Sequence, residues 1–191
     1  MTGNATVIEG RVWVLRDEQG AIIDDIDTDM IFHNAHLAVT DLAQMGQYAL
    51  GNLAGHEDFP SRAQPGDLIL AGRNFGAGSS RQQAVDCFVS LGCTLLLAES
   101  FGAIYKRNAI NAGFPIMQAQ GLTRICDHDS PLVGSGDMLR VDLSSGEVTH
   151  LSSGKQHRAC PMSQVQLDIY RAGSLFAYGA QLSAPDPRTL A

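Results

Sequence analysis

The spacing of apolar and polar positions along the 191-residue chain changes several times, and each change predicts an element. "GRVWVL" (10–15) alternates and is rich in β-branched and aromatic residues, which predicts a strand. "DEQG" (17–20) predicts a turn and "AII" (21–23) a short return strand. After the acidic stretch "DDIDTD", a short helix is expected from about Thr40 into "DLAQMGQYAL". Residues 51–67, "GNLAGHEDFPSRAQPGD", scatter Gly, Pro and charge, and read as a long loop of the kind that is often functional.

The middle of the chain has the clearest pattern. "DLILAG" (67–72) is an apolar run of strand length, followed by a glycine-rich loop. From Ser80 the period becomes helical, with Ala84, Val85, Phe88, Val89 and Leu91 on one face and Gly92 closing the helix. "CTLLLAE" (93–99) predicts a second buried strand. "SFGAIYKRNAINAG" (100–113) predicts a helix opened by Ser100 and ended by Gly113, and "FPIM" (114–117) a third strand. Strands alternating with helices predict an α/β fold with a mostly parallel central sheet. The last third reads as a C-terminal β-hairpin region with turns at 144–146 and 152–154, then a helix over 162–180 interrupted at Gly173. The expected organisation is a single domain over 1–191, with a frayed tail from about residue 182.

Charge and composition narrow the function. Thirteen Lys and Arg against twenty Asp and Glu leave a formal net charge of −7, which argues against a bulk nucleic-acid surface but allows a local basic pocket. No apolar run reaches the roughly 18 residues of a membrane span. The start lacks a signal-peptide layout, so a cytoplasmic protein is expected. Cys87, Cys93, Cys126 and Cys160 have no C-x-x-C spacing and are expected to be buried thiols. The six histidines form no metal-ligating pair; His33 and His36 stand near the acidic stretch, where a surface or capping role is expected.

"GRNFGAGSSRQQA" (72–84) is the strongest candidate for chemistry. A glycine-rich turn between a strand and a helix can bring unpaired backbone N–H groups close to an anion. Ser79 and Ser80 stand where an N-cap belongs, and Arg81 adds forked donors suited to a carboxylate. A P-loop would need a lysine where Gly78 stands. The dinucleotide fingerprint and the nucleophile elbow both need a glycine where Arg81 stands. Asp25, Asp27 and Asp29 alternate like a calcium loop, but Met30 and His36 occupy the positions that need Gly and Glu. A turn tied by Asx-type hydrogen bonds is the plainer reading.

"DDIDTDMI", "GRNFGAGSSRQQA" and "ESFGAIYKRNAINAGFP" occur in that order, and with them the chain resembles the small subunit of isopropylmalate isomerase, the swivel domain of the aconitase superfamily, over about residues 8–180. The resemblance implies a swivelling β/β/α domain. It also implies reversible dehydration and rehydration of a hydroxy-di- or tricarboxylate, as in leucine biosynthesis. A 4Fe–4S cluster would sit on a separate large subunit, with no metal bound by this chain. Ser79 would be the proton-abstracting base; Ser80, Arg81, Gly78, Asn74 and Gly76 would bind substrate; Asp27, Thr28, Asp29, Arg107 and Asn108 would support the pocket. The isolated chain, lacking its partner, would be open to homo-oligomerisation.

The chain departs from the family pattern at several places. Gln82 and Gln83 follow the Ser-Ser-Arg triplet where many members have Glu-His. Ala35 stands where an arginine is common, Ala103 replaces another arginine, and Ala77 replaces a loop cysteine. Charge around the pocket selects the acid, so 3-isopropylmalate has rivals in homoaconitate, dimethylmalate and related alkylmalates. Segment 51–66 is where side-chain specificity is expected. Two other classes stay open: a non-catalytic carboxylate-binding or regulatory module, and a self-contained hydrolase using Ser79 with His33 or His36 and Asp27, for which their spacing gives no support.

Overall fold

β1 (Val7–Val14) is the pivot of a seven-stranded sheet. On one side it pairs in parallel with β2 (Leu68–Ala71), then β3 (Leu95–Ala98) and β4 (Ile116–Gln118). On the other it pairs antiparallel with β5 (Met138–Asp142), followed by β6 (Glu147–His150) and β7 (Gln156–Arg158). The computed structural model describes residues 5–122 and 133–183. The parallel half and the hairpin half are thus those that the pattern predicts, with β1 extended three residues before the expected start.

The sheet curls until its edges meet: Cys160 N, just after β7, donates to Gln118 O of β4 at 2.7 Å. Alternate residues of β1–β3 point into two cores. Val12, Val14, Leu68, Leu70, Leu95 and Leu97 join Leu139, Val141 and Val148 in one. Trp13, Ile69, Ala71, Leu96 and Ala98 face the other, which the helices cover. Every residue of β2 and β3 is buried, which explains why they read as continuous apolar runs.

The helices are α1 (Thr28–Ile31), α2 (Leu42–Met45), α3 (Phe59–Arg62), α4 (Gln83–Ser90), α5 (Ala103–Asn111), α6 (Gln164–Ala172) and α7 (Leu175–Ser183). α1 is a turn of helix inside the stretch read as an Asx-bonded turn, and α3 lies inside the predicted long loop. Gly92, Gly113 and Gly173 each adopt positive φ just past a helix, as C-terminal glycines do.

Several expectations fail. α4 starts at Gln83 rather than Ser80, and its N-cap Gln82 makes no side-chain cap bond; a tight turn, Arg81 N to Ser79 O at 2.8 Å, separates the serines from the helix. α5 starts at Ala103 behind Gly102, and the Ser100 hydroxyl instead accepts from Asn74 N at 2.8 Å. Val89 is exposed, Cys160 is exposed while Cys87 and Cys93 are buried, and "AII" forms one isolated bridge, Arg16 to Ile22. α7 runs through Ser183, past the start of the expected tail; Cys126, His128 and residues 184–191 lie outside the described residues.

Candidate active site at the carboxyl ends of the parallel strands

Open α/β sheets present their sites beyond the carboxyl ends of parallel strands. Here the glycine loop after β2 meets the acidic stretch after β1 through a parallel bridge, Asp27 to Ala77. Gly76 N donates to Ile26 O at 2.7 Å and Thr28 N to Ala77 O at 2.9 Å. Gly76 has φ +75°, and a Cβ there would overlap the buried Tyr105 ring, so only glycine lets the loop lie so close to α5.

The three residues 27–29 do different work. Asp27 caps α1, its Oδ1 accepting from Asp29 N and Met30 N at 2.8 Å each. Thr28 is buried, and its hydroxyl lies 3.2 Å from the Ser79 hydroxyl. Asp29 holds the arginine: Arg81 Nη1 donates to Asp29 Oδ1 at 2.7 Å, to Phe32 O at 2.7 Å and to Thr28 O at 3.2 Å. The Arg81 side chain is 13% exposed, so it is fixed in place rather than sweeping through solvent. Its Nε and Nη2 have no hydrogen-bond partner among the described residues, which leaves a forked donor edge for a carboxylate. Ser79 and Ser80 are exposed.

The hydrogen bond from Arg81 lowers the Asp29 carboxyl below the ordinary carboxylate range against the opposing effect of burial; Asn34 N and the charges of Arg81 and His33 add to it. Asp29 is therefore ionised at neutral pH and balances the arginine. Asn52 Nδ2 also approaches Asp29 Oδ2, at 3.3 Å. Nothing local in the sequence singles out Asn52, 23 residues away, beyond its lying in the segment expected to reach the pocket. Within the same segment α3 lies elsewhere: Phe59 and Arg62 pack on Trp13, and Arg62 O accepts from Arg11 Nη2 near the amino end of β2.

Other predicted residues shape the loop or stand apart. The Asn74 amide donates to Asp25 Oδ1 at 2.8 Å, and both residues have positive φ, so Asn74 ties the loop to the acidic stretch. Gly78 has φ +97° and turns the chain into Ser79 beside Thr28. Arg107 and Asn108 lie on α5, and no hydrogen bond or ion pair joins either to the Ser79 loop among the described residues. His33 caps a 3-10 turn (Asn34–His36), with Nδ1 accepting from Ala35 N, and His36 stacks on Tyr48 at 4.0 Å. Among the described residues no group of three His, Cys, Asp or Glu could hold a metal ion, and no helix is long and apolar enough to cross a membrane.

The aconitase C-terminal domain family matches residues 39–121, a span that contains the Ser79 loop. A 3-isopropylmalate dehydratase small subunit from Pyrobaculum calidifontis is 40% identical over 155 residues, 81% of this chain and 90% of the relative. The chain belongs to the 3-isopropylmalate dehydratase small-subunit family. Relatives of these small subunits include an isopropylmalate/citramalate isomerase small subunit from Methanocaldococcus jannaschii, 34% identical over 91% of this chain and 94% of its own length. A methanogen homoaconitase small subunit from Methanothermobacter thermautotrophicus is 36% identical over 88% of each chain. The crystal structure of 3-isopropylmalate dehydratase from M. jannaschii superposes with a TM-score of 0.77 at 30% identity, covering 92% of this chain and 95% of that one. The fold is thus that of the aconitase-type dehydratase small subunits, and a hydro-lyase small subunit implies a large-subunit partner.

Proposed function

We propose that this chain is the proton-transferring half of a hydro-lyase that interconverts 2-isopropylmalate and 3-isopropylmalate, with Ser79 as the base. The observation that carries this reading is the pairing at one loop of an exposed Ser79 hydroxyl with an Arg81 whose Nη1 is held while Nε and Nη2 have no partner among the described residues. Arg81 grips a substrate carboxylate with that free edge, and Ser80 and Gly78 line the same turn. Ser79 Oγ accepts the proton from the carbon next to the carboxylate, and that C–H pair becomes the new C=C bond as the hydroxyl departs with its own pair. Rehydration runs the step backward, with the hydroxyl returning to the neighbouring carbon. A fixed cation beside the reacting centre stabilises the charge that develops there.

An iron–sulfur cluster, proposed on the large subunit, would supply the Lewis acid for the departing hydroxyl. The chain acts as one swivel domain over that partner. The described cysteines are unpaired, in keeping with a reducing compartment, and the cytoplasm is the proposed location.

The names of the M. jannaschii and M. thermautotrophicus relatives favour a second reading, the same chemistry on citramalate or homoaconitate. The test co-expresses the chain with a large subunit from its own organism, reconstitutes the cluster without oxygen and follows absorbance of the unsaturated acid with each substrate. Turnover of 3-isopropylmalate that needs both chains and falls at least a thousandfold in Ser79→Ala is the expected result. Turnover unchanged in Ser79→Ala removes the base assignment. Turnover of only a rival acid moves the substrate, and no turnover of any favours a non-catalytic carboxylate-binding module.

A further inference from the structure

We infer that Thr28 is a positioning residue for Ser79, holding its Oγ toward the substrate and donating a hydrogen bond to it in the base form; this rests on the reading of Ser79 as the base. Thr28 is 2% exposed, so its hydroxyl cannot turn to bulk water. Buried hydroxyls are nearly always hydrogen-bonded, and the partner found for this one among the described residues is Ser79 Oγ, at 3.2 Å. Thr28 is itself fixed from both ends. Its N–H donates to Ala77 O at 2.9 Å, and its own carbonyl accepts from Phe32 N at 3.1 Å and from Arg81 Nη1 at 3.2 Å. Asp27 caps the turn of helix that carries it.

Ser79 has no such support of its own. It is exposed, and it lies outside α4, behind a glycine at φ +97°. A serine there would sample three rotamers. The bond to Thr28 selects one of them. A serine is also a weak base, because its alkoxide is high in energy. While Ser79 carries its proton, either hydroxyl can donate. Once Ser79 Oγ is deprotonated it can only accept, and the Thr28 O–H then becomes a charge-assisted donor to it. When Ser79 takes the proton from the substrate carbon, the C–H bond breaks, the O–H bond forms, and the Thr28 bond returns to its neutral strength. The contact is therefore stronger in the base form than after proton transfer, and Thr28 sets how much base form exists. Arg81 is held by the same turn of helix, so base and carboxylate grip share one rigid mount.

The test uses the chain assembled with its cluster-loaded large subunit, with 3-isopropylmalate or whichever acid it turns over as substrate. Thr28→Val keeps the shape and removes the hydroxyl; Thr28→Ser keeps the hydroxyl and removes the methyl. Thr28→Val is expected to lower kcat by about 10- to 100-fold with KM changed less than about threefold, the size of losing one hydrogen bond to a charged group. Thr28→Ser is expected to keep kcat within about threefold. Loss of kcat in Thr28→Val below about threefold, alongside collapse in Ser79→Ala, overturns the role of Thr28 and leaves Ser79 as the base. Equal losses in both Thr28 variants, with KM raised, mark a packing role and also overturn it. Full activity in Ser79→Ala sinks the base reading itself, and this inference with it.

Discussion

Arg81 and Asp29 are joined at 2.7 Å through Nη1 and Oδ1, and this pair decides which edge of the guanidinium faces outward. The other two acceptors of Nη1 are backbone carbonyls, so among the described residues the arginine is anchored at one nitrogen and offered at the other two. The arrangement turns a mobile side chain into a fixed fork.

Replacing Asp29 by Asn removes the charge that balances and aims this fork. Asp29→Asn is expected to raise KM by about tenfold, with a smaller change in kcat, since in the proposed reaction the grip on the carboxylate precedes proton transfer. Steady-state kinetics of the assembled enzyme check this. The same residue contributes to acid sensitivity. Its folded carboxyl lies below the unfolded value of about 3.9. The stabilisation is therefore complete above that value and is lost as pH falls through the folded one. Thermal melts below pH 4 should show a shallower decline for Asp29→Asn than for the parent chain.

Asp67 is the electrostatic centre of the opposite end of the sheet. It is buried, and it accepts from Arg11 Nε and Nη2, from Trp13 Nε1 and from Gln64 N. Burial pushes its carboxyl up, yet these hydrogen bonds and the Arg11 charge outweigh that and leave it below the usual range. An amide can accept through one oxygen only and would turn an NH2 toward donors. Asp67→Asn should destabilise by about 2–3 kcal/mol, read from the urea midpoint, with kcat unchanged.

Gly76 and Gly20 share a left-handed backbone but not surroundings. A Cβ at Gly76 would overlap the Tyr105 ring, whereas nothing lies within 4 Å at Gly20. Gly20→Ala should cost about 1–2 kcal/mol from backbone strain alone. Gly76→Ala adds overpacking, for about 2–5 kcal/mol in all, and should also abolish activity by lifting the Ser79 loop. Paired denaturation curves separate the two contributions.

Thiol reactivity distinguishes the described cysteines. Burial pushes the Cys93 thiol up to about 12, helped by the nearby Asp67 charge, and burial also raises the Cys87 thiol. Cys160 is exposed. A neutral thiol reagent at pH 8 should label Cys160 in the folded protein and reach Cys87 and Cys93 only after unfolding, as mass spectrometry of the peptides will read.

The sequence by itself determined the parallel strands, because β2 and β3 are buried on both faces and must be written as unbroken apolar runs. It also determined the hairpin region and the helix ends at Gly92, Gly113 and Gly173, where local chemistry admits little else. The family was legible too, since Gly, Ser and Arg at fixed spacing carry it. Helix starts were not: Ser80 and Ser100 look like caps, but each is drawn away by the loop it belongs to, Ser100 to Asn74 and the Ser79–Ser80 pair into a tight turn. Only the tertiary structure decided what the acidic stretch is for. Thr28 and Ser79 are 51 residues apart, and Asp29 and Arg81 are 52 apart, so no local period links them. They meet because β1 and β2 lie side by side in parallel, which brings the loops at their carboxyl ends together and makes one turn of helix the mount for Ser79 and Arg81.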